Sequence, residues 1–304
     1  MKKKLSIGSW AYIFNQDTPT NDFHQVIHKL ADLGYEGVEL GGFNPHPGPD
    51  TYDRARRRAL RKEVADHGLQ FSGLAADLWS QKLISVEDQG PYIAAFAKNV
   101  FFAEDLGIDT IRVDTVEPIT VVKEKKLDPK LLFERAARAF NLCSKLAADR
   151  GIRICWEFEP GFPINKPSEI VALVNAVRGQ GNPNFGVLFD TCHAYMCAVV
   201  GANQIGEKET LPGGELELLH KLKGKITHIH LIDSDGTLNE HNTSTHNPFG
   251  TGKLNFDKLI PELLKAGAPN DWWCVDLCFW PNAWDVTAES KRFLDKLRQK
   301  YLAA

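Results

Sequence analysis

Several features that would mark a specialised class of protein are missing from this chain of 304 residues. Its 36 basic residues are nearly balanced by 39 acidic ones, so no overall positive charge favours nucleic acid or an anionic membrane surface. Apolar stretches such as 93–97 fall far short of the roughly 20 residues that cross a bilayer. The 43% hydrophobic and 25% charged content is typical of a globular protein, not of a disordered, collagenous or disulfide-scaffold one.

The sequence also lacks disulfide, targeting and linker signals. Its six cysteines form no CxxC pair, and most fall in predicted strands or helices, where a free thiol behaves as a small hydrophobic group. The basic residues 1–4 precede an apolar run that is too short for a signal sequence and is predicted to be a strand. We therefore expect a cytoplasmic protein in which residues 1–304 form a single domain.

Short β-rich runs alternate with longer helical patterns about eight times along the chain. Each run is short and apolar, as expected of parallel strands buried on both faces. The predicted strands are 5–10, 37–40, 70–75, 110–114, 153–159, 186–190, 226–231 and 272–277. A glycine such as Gly107 repeatedly stands between a helix and the next strand, where a left-handed C-cap is expected.

Helices packed around consecutive parallel strands give either an open doubly wound sheet or a closed (β/α)8 barrel. Eight units, with no GxGxxG after the first strand, favour the barrel. The longer connections all follow strands, and a barrel gathers them at the C-terminal rim, where active sites are built. The predicted fold class is therefore α/β, a (β/α)8 TIM barrel.

Metal-type side chains lie at the ends of four consecutive predicted strands. The four segments read CWEFEPG, LFDTCHA, THIHLID and WCVDLC, and their candidates are Glu157, Glu159, Asp190, His193, His228, His230 and Asp276. A carboxylate in an apolar strand is costly to bury unless it is paired or binds a cation. One such residue alone is more often a helix N-cap or ion-pair partner, but four in a ring predict one divalent metal. Oxygen and imidazole ligands suit Mn²⁺, Mg²⁺, Co²⁺ or Zn²⁺, with Mn²⁺ or Mg²⁺ favoured.

The order of these motifs, a Glu, then DTCHA, then HIHLID, then an acid on the last strand, resembles the xylose-isomerase-like TIM-barrel superfamily. That superfamily contains sugar isomerases and epimerases, inosose dehydratases and the endonuclease IV type of DNA repair enzyme. The resemblance covers nearly the whole chain, including GSWAYIF in strand one and LGYEGVEL before strand two. It implies metal ligands at Glu157, Asp190, His230 and Asp276, and Asp276 stands where the family usually has Glu.

Groups suited to a sugar or polyol surround these positions, because aromatic faces pack on C–H surfaces while charged groups bind hydroxyls. The residues expected to contact substrate are Trp10, Glu39, Arg112, Glu159, His193 and His246. Arg112 also has a simpler interpretation, an internal ion pair with Asp114 on the same strand face. His228 is not expected to bind the metal, because it lies two residues, about 6.5 to 7 Å, from His230 along the strand.

The resemblance favours a metal-dependent sugar or polyol isomerase or epimerase. Glu157 and Asp276 would transfer protons beside a carbonyl, and the metal would act as a Lewis acid that stabilises an enediolate. A lyase acting on a keto-inositol or 3-keto-glycoside shares this chemistry and remains open. An endonuclease IV-like hydrolase is disfavoured, since Ser244 replaces one of its zinc ligands, and so is a non-catalytic binding subunit. The expected partner is a small sugar or polyol, without nucleic acid or membrane, and a homo-oligomer is left open.

Overall fold

Eight parallel strands form the centre of the protein in the computed structural model, which describes residues 3–14 and 18–302. The strands are β1 (Lys4–Ile7), β2 (Gly37–Gly41), β3 (Gln70–Ala75), β4 (Thr110–Val113), β5 (Arg153–Glu157), β6 (Phe185–Asp190), β7 (Ile226–Leu231) and β8 (Trp272–Val275). They pair in the order β1-β8-β7-β6-β5-β4-β3-β2. A single parallel bridge between Gly8 and Glu39 links β1 to β2 and nearly closes the barrel. The predicted (β/α)8 TIM barrel is therefore confirmed.

Helices surround this barrel and occupy most of the connections between its strands. They are α1 (Phe23–Asp32), α2 (Arg54–Asp66), α3 (Gly90–Leu106), α4 (Ile119–Glu124), α5 (Pro129–Ala148), α6 (Pro167–Arg178), α7 (Thr191–Tyr195), α8 (Gly214–Lys221), α9 (Phe256–Ala266) and α10 (Ala283–Leu302). A 3₁₀ turn, Ser9–Tyr12, follows β1, and a π-helical turn, Met196–Val200, follows α7. Within residues 3–14 and 18–302, no helix combines the length and the apolar character needed to cross a membrane.

The local signals of the sequence explain where these helices begin and end. Asp22 is the N-cap residue of helix α1, and its side chain accepts hydrogen bonds from the backbone N–H groups of His24 and Gln25. Its apolar residues recur at helical spacing and are buried. Helix α3 ends at Gly107 with φ 74°, a left-handed conformation that costs glycine little.

Three chain segments at the rim differ from the predicted strands. Trp10 belongs to the 3₁₀ turn instead of strand one, because the backbone N–H of Ile13 binds the Trp10 carbonyl locally at 2.9 Å. Strands β5 and β8 end at Glu157 and Val275, so Glu159 and Asp276 lie on the loops beyond them. The indole of Trp10 and both carboxylates are thereby placed at the C-terminal mouth of the barrel, where the longer connections gather.

The cysteines are free, and five are buried, as predicted for structural thiols. Cys278 differs because it is only partly buried and lines the pocket at the barrel mouth. Met1 and Lys2, which belong to the basic start considered in the sequence, lie outside the described residues.

Candidate metal centre

Four side chains from consecutive strands converge inside the barrel mouth. Nδ1 of His230 lies 3.4 Å from Oε1 of Glu157, 3.3 Å from Oδ2 of Asp276 and 3.9 Å from Oδ2 of Asp190. All four side chains are buried. One ligand atom from each lies within 4.8 Å of the others, so this group can hold a metal ion. The structure therefore brings together the four residues that the family resemblance implied as ligands.

The protein holds one oxygen of Glu157 and one of Asp190 through fixed donors. Oε2 of Glu157 accepts a hydrogen bond of 2.5 Å from Nε of Arg112 and pairs with Nη2 of the same guanidinium. Oδ1 of Asp190 caps helix α7 by accepting from the backbone N–H groups of Cys192 and His193, at 2.7 and 2.9 Å. The conformation of each carboxylate is set by these bonds.

Asp276 and His230 are held in the same one-sided way. Oδ1 of Asp276 accepts from the indole N–H of Trp10 and from the backbone N–H of Cys278, both at 2.9 Å. Nε2 of His230 lies 3.0 Å from Oε2 of Glu39, which directs the opposite ring nitrogen, Nδ1, towards the three carboxylates. Each of the four residues thus keeps one ligand atom for the common centre.

The atoms that face this centre fit a divalent cation. Oε1 of Glu157, Oδ2 of Asp190 and Nδ1 of His230 are buried and find no hydrogen-bond partner among the described residues. A buried polar atom without a partner is costly, so three of them facing one point require an explanation. A cation bound by three carboxylate oxygens and one imidazole nitrogen supplies it.

The electrostatics of the group point the same way. Burial, and then the charge of Asp276, raise the pKa of Asp190 well above its usual value. Burial opposes the charge of Asp276, but His246 and His230 outweigh it and lower the pKa of that carboxyl. Burial likewise disfavours the charged ring of His230, yet Glu39 and the other acids raise its pKa well above the usual value. Without a cation the protein therefore retains protons here, which a metal ion would displace.

Glu39 lies beneath this centre, which differs from the expectation that it contacts substrate. Its side chain is fully buried, it does not line the pocket, and Oε2 accepts from Nε2 of both His228 and His230, at 2.6 and 3.0 Å. Nδ1 of His228 in turn accepts from the amide of Asn270 at 2.9 Å. A second group of metal-type residues consists of Glu39, His228, His230 and Cys274. Oε2 of Glu39 and Nε2 of both histidines already bind one another, although Oε1 of Glu39 has no partner among the described residues. The group with three carboxylates is therefore the better site for a cation.

A change of Glu39 to glutamine should weaken metal binding by roughly 10- to 100-fold, the usual effect of removing an outer carboxylate that orients a ligand histidine. The glutamine carbonyl oxygen can accept from both histidines, but the negative charge that makes the His230 ring a stronger ligand is lost. Metal affinity, measured by calorimetry, is the direct readout. The matched control is Glu117→Gln, which changes another buried carboxylate that binds the loop amides of Leu83 and Ile84. A similar metal affinity in both variants would contradict the orienting role of Glu39.

A pocket opens directly above the metal group, and five of the six residues expected to contact substrate line it: Trp10, Arg112, Glu159, His193 and His246. Glu157 and Asp276 form part of its floor. The sequence did not single out Phe14, Phe43, Thr243 and Phe279 among its lining residues. No local pattern marks these four, because the paths of separate loops bring them to the same place.

Arg112 joins the metal group to the pocket wall. Its guanidinium pairs with Asp114 at 3.2 Å, as the simpler interpretation predicted, but it also binds Glu157 and lies 3.9 Å from Glu159. Burial opposes the charge of Glu157, but Arg112 and the nearby histidines lower its pKa to about 2. Burial and the charge of Glu157 raise the pKa of Glu159 to about 8. At neutral pH the two carboxyl groups therefore differ, one ionised and the other protonated.

Two histidines complete the polar part of the pocket. Nδ1 of His193 is 2.7 Å from the hydroxyl of Ser244, and burial lowers the His193 pKa to about 3, so the ring is neutral. His246 is buried, and neither ring nitrogen has a hydrogen-bond partner among the described residues. Both rings are thus available to hydroxyl groups of a ligand.

Comparisons with known proteins identify the family of this chain. Residues 27–297 match the family described as xylose isomerase-like TIM barrel. The chain belongs to this family. The endonuclease branch that the sequence disfavoured lies within the same fold class, so membership by itself does not select a reaction.

Curated relatives of this family member are identical to it at about a quarter of the aligned residues. An inosose dehydratase of Yersinia enterocolitica is 25% identical over 240 residues, which is 76% of this chain and 71% of that protein. An inosose dehydratase of Glaesserella parasuis is 26% identical over 230 residues, which is 72% of this chain and 67% of that protein.

Solved structures show the same barrel at lower sequence identity. The IolI protein with a bound zinc atom has a TM-score of 0.73 and 18% identity, covering 99% of this chain and 100% of its own. A D-psicose 3-epimerase in the presence of D-fructose has a TM-score of 0.69 and 18% identity, with the same coverage. At this identity the likeness extends to the fold only.

Proposed function

We propose that this protein is a metal-dependent dehydratase that removes water from a keto-polyol of the keto-inositol type. The observation that carries the proposal is the placement of two carboxyl groups on the pocket surface, Asp276 at the metal group and Glu159 nearby. Burial and the charge of Glu157 raise the pKa of Glu159, which suits it to donate a proton. Loss of water beside a carbonyl needs one group that accepts a proton and another that donates one. The inosose dehydratase names of the curated relatives support the same reaction class.

A divalent ion held by Glu157, Asp190, His230 and Asp276 would supply Lewis-acid polarisation of the substrate carbonyl. The ion would be Mn²⁺, Mg²⁺, Co²⁺ or Zn²⁺, and the three carboxylate ligands favour Mn²⁺ or Mg²⁺.

In this proposal Asp276 removes the proton from the carbon beside the carbonyl. Glu159 gives its proton to the hydroxyl group on the next carbon, whose C–O bond breaks, so that water leaves and a carbon–carbon double bond forms. His193 and His246 hold substrate hydroxyls. Oε2 of Glu157 pairs with the cationic guanidinium of Arg112, whereas Oδ1 of Asp276 accepts from neutral N–H groups. The proposal therefore assigns proton transfer to Asp276 and leaves Glu157 as a ligand.

An isomerase or epimerase, the function that the sequence favoured first, is the second candidate. Glu157 and Asp276 both line the pocket floor, and both lie next to His230, at 3.4 and 3.3 Å. In that reaction both carboxylates would transfer protons and no C–O bond would break. A cytoplasmic location, the absence of nucleic acid as a partner and the oligomeric state stay predictions.

Incubation of the Mn²⁺-loaded protein with a keto-inositol in deuterated water separates the two candidates. A dehydratase releases water and forms an unsaturated product that is lighter than the substrate by one water. An epimerase instead returns a stereoisomer of the substrate that differs in mass only by the deuterium it has taken up. A substrate panel of keto-inositols and free ketoses, followed by mass spectrometry and NMR, provides the readout. Epimerised ketose without any unsaturated product would overturn the proposal.

A change of Glu159 to glutamine should slow dehydration by roughly 100-fold or more, the lower end of what a general acid contributes. The amide retains the size of the side chain but has no acidic proton to give. Deuterium exchange at the substrate carbon should continue, because Asp276 still accepts that proton. Loss of exchange and dehydration in equal measure would show that Glu159 does not act on the leaving hydroxyl.

A further inference from the structure

The outer half of the pocket is built from aromatic rings on separate loops. We call this group the aromatic collar and define it as Phe14, Phe43, Trp79, His241 and Phe279. The rings of Phe43 and Trp79 are stacked with centroids 4.7 Å apart, and those of Phe14 and Phe279 are stacked at 5.2 Å. His241 packs on Phe279 at 4.1 Å. The loops after β1, β2, β3, β7 and β8 each contribute one ring.

The collar is tied to the metal group by hydrogen bonds and ion pairs. The indole N–H of Trp79 donates to Asp114 at 3.0 Å, Asp114 pairs with Arg112, and Arg112 holds Glu157. On the other side of the mouth, the indole of Trp10 packs with Phe43 while its N–H binds Asp276. The position of the collar relative to the metal group is therefore set by the same contacts that orient two proposed ligands.

The collar offers a large apolar surface with few free polar groups. One face of the Trp79 indole stacks on Phe43, yet the residue is 42% exposed, which is unusual for a tryptophan and leaves part of the indole open to a ligand. Its N–H is committed to Asp114, and the hydroxyl of Thr243 is committed to Glu159. Within the collar the ring of His241 is the polar group, half exposed and 3.6 Å from Glu240, so a second sugar ring would find few hydrogen-bond partners there for its hydroxyls. A flat aromatic group needs none of them.

We propose that the natural substrate carries an aromatic group on its carbohydrate ring, and that the collar binds this group while the carbohydrate occupies the metal end of the pocket. The pocket has a cavity volume of about 180 Å³ and opens to solvent. The proposal rests on the proposed function for its carbohydrate part. The substrate class is then a keto-sugar or keto-polyol bearing an aryl substituent.

Calorimetric binding of three unreactive probes to the Mn²⁺-loaded protein tests this substrate class. The probes are phenyl β-D-glucoside, methyl β-D-glucoside and cellobiose, and none has a ketone that could react. The phenyl glucoside should bind about tenfold more tightly than the methyl glucoside, the expected value of a good aromatic contact. Equal affinities, tighter binding of cellobiose, or no measurable binding of the phenyl glucoside would overturn the proposal.

Variants of Trp79 locate the preference. Trp79→Ala should remove the preference for the phenyl probe, and Trp79→Phe should keep most of it, because a ring remains although the bond to Asp114 is lost. The matched control is Phe101→Ala, which removes another exposed aromatic ring, on α3 and outside the pocket. A preference that survives Trp79→Ala contradicts the collar, even if dehydration is observed. A preference without any dehydration activity supports the collar and counts against the proposed reaction alone.

Discussion

A change of His230 to alanine should abolish both metal binding and activity, the largest effect expected in this protein. Its Nδ1 lies within 3.3 to 3.9 Å of all three carboxylate ligands, and it is the only nitrogen in the proposed set. Metal analysis after Mn²⁺ loading should find stoichiometric metal in the parent and none in the variant. Bound metal should also raise the thermal stability of the parent, by about 2.7 kcal/mol at a hundredfold excess over Kd, and leave the variant unchanged.

The control for this change is His228→Asn. His228 also binds Glu39, but it does not belong to the group formed by His230 and the three proposed carboxylate ligands. Its Nε2 is committed to Glu39 and its Nδ1 to Asn270. The His228 variant should keep its metal and lose only part of its activity. Equal loss of metal from both variants would refute the assignment of His230 as the ligand on β7.

A change of Asp276 to asparagine should keep the metal at saturating concentration and slow turnover by at least ~100-fold. The asparagine carbonyl can still accept hydrogen bonds from Trp10 and Cys278, which hold Oδ1 in the parent. Its amide nitrogen then takes the place of Oδ2, so the metal at saturating concentration is held by the three remaining ligands. The change removes the carboxylate that would accept the proton from the substrate carbon. Turnover at saturating Mn²⁺ and deuterium exchange at that carbon should fall together.

The matched variant is Asp276→Glu, which restores the residue usual in the family and lengthens the side chain by roughly 1.5 Å. It retains a proton acceptor and should be far more active than Asp276→Asn. Near-normal turnover of Asp276→Asn, with exchange unaffected, would show that Asp276 is a ligand without a part in proton transfer. Glu159→Gln should keep deuterium exchange at the substrate carbon, whereas Asp276→Asn should lose it. This difference distinguishes the proposed proton acceptor, Asp276, from the proposed proton donor, Glu159.

The barrel could be predicted from the sequence because its signals are local and repeated. Each strand is a short apolar run, and glycines such as Gly107 end the preceding helices. The four candidate ligands could be predicted because the C-terminal ends of all strands in a barrel lie at one rim, independently of the conformation of the loops. The number and order of the strands therefore carried most of the information about the metal group.

The depth of individual side chains could not be predicted in the same way. The register between β2 and β3 shifts at Glu39, and the strand-end pattern alone does not reveal that this side chain lies below the metal group. Phe14, Phe43 and Phe279 were missed for another reason. Their meeting point depends on the paths of loops of irregular structure, for which no periodic pattern exists.

The hydrogen bond from Trp10 to Asp276 spans the seam where the first strand meets the last. Asp276 is the last proposed ligand in sequence order, and the indole that orients it stands 266 residues earlier in the chain. The proposed metal group is therefore complete only after β1 has docked against β8. Metal binding by a folding chain would then report closure of the barrel at this seam.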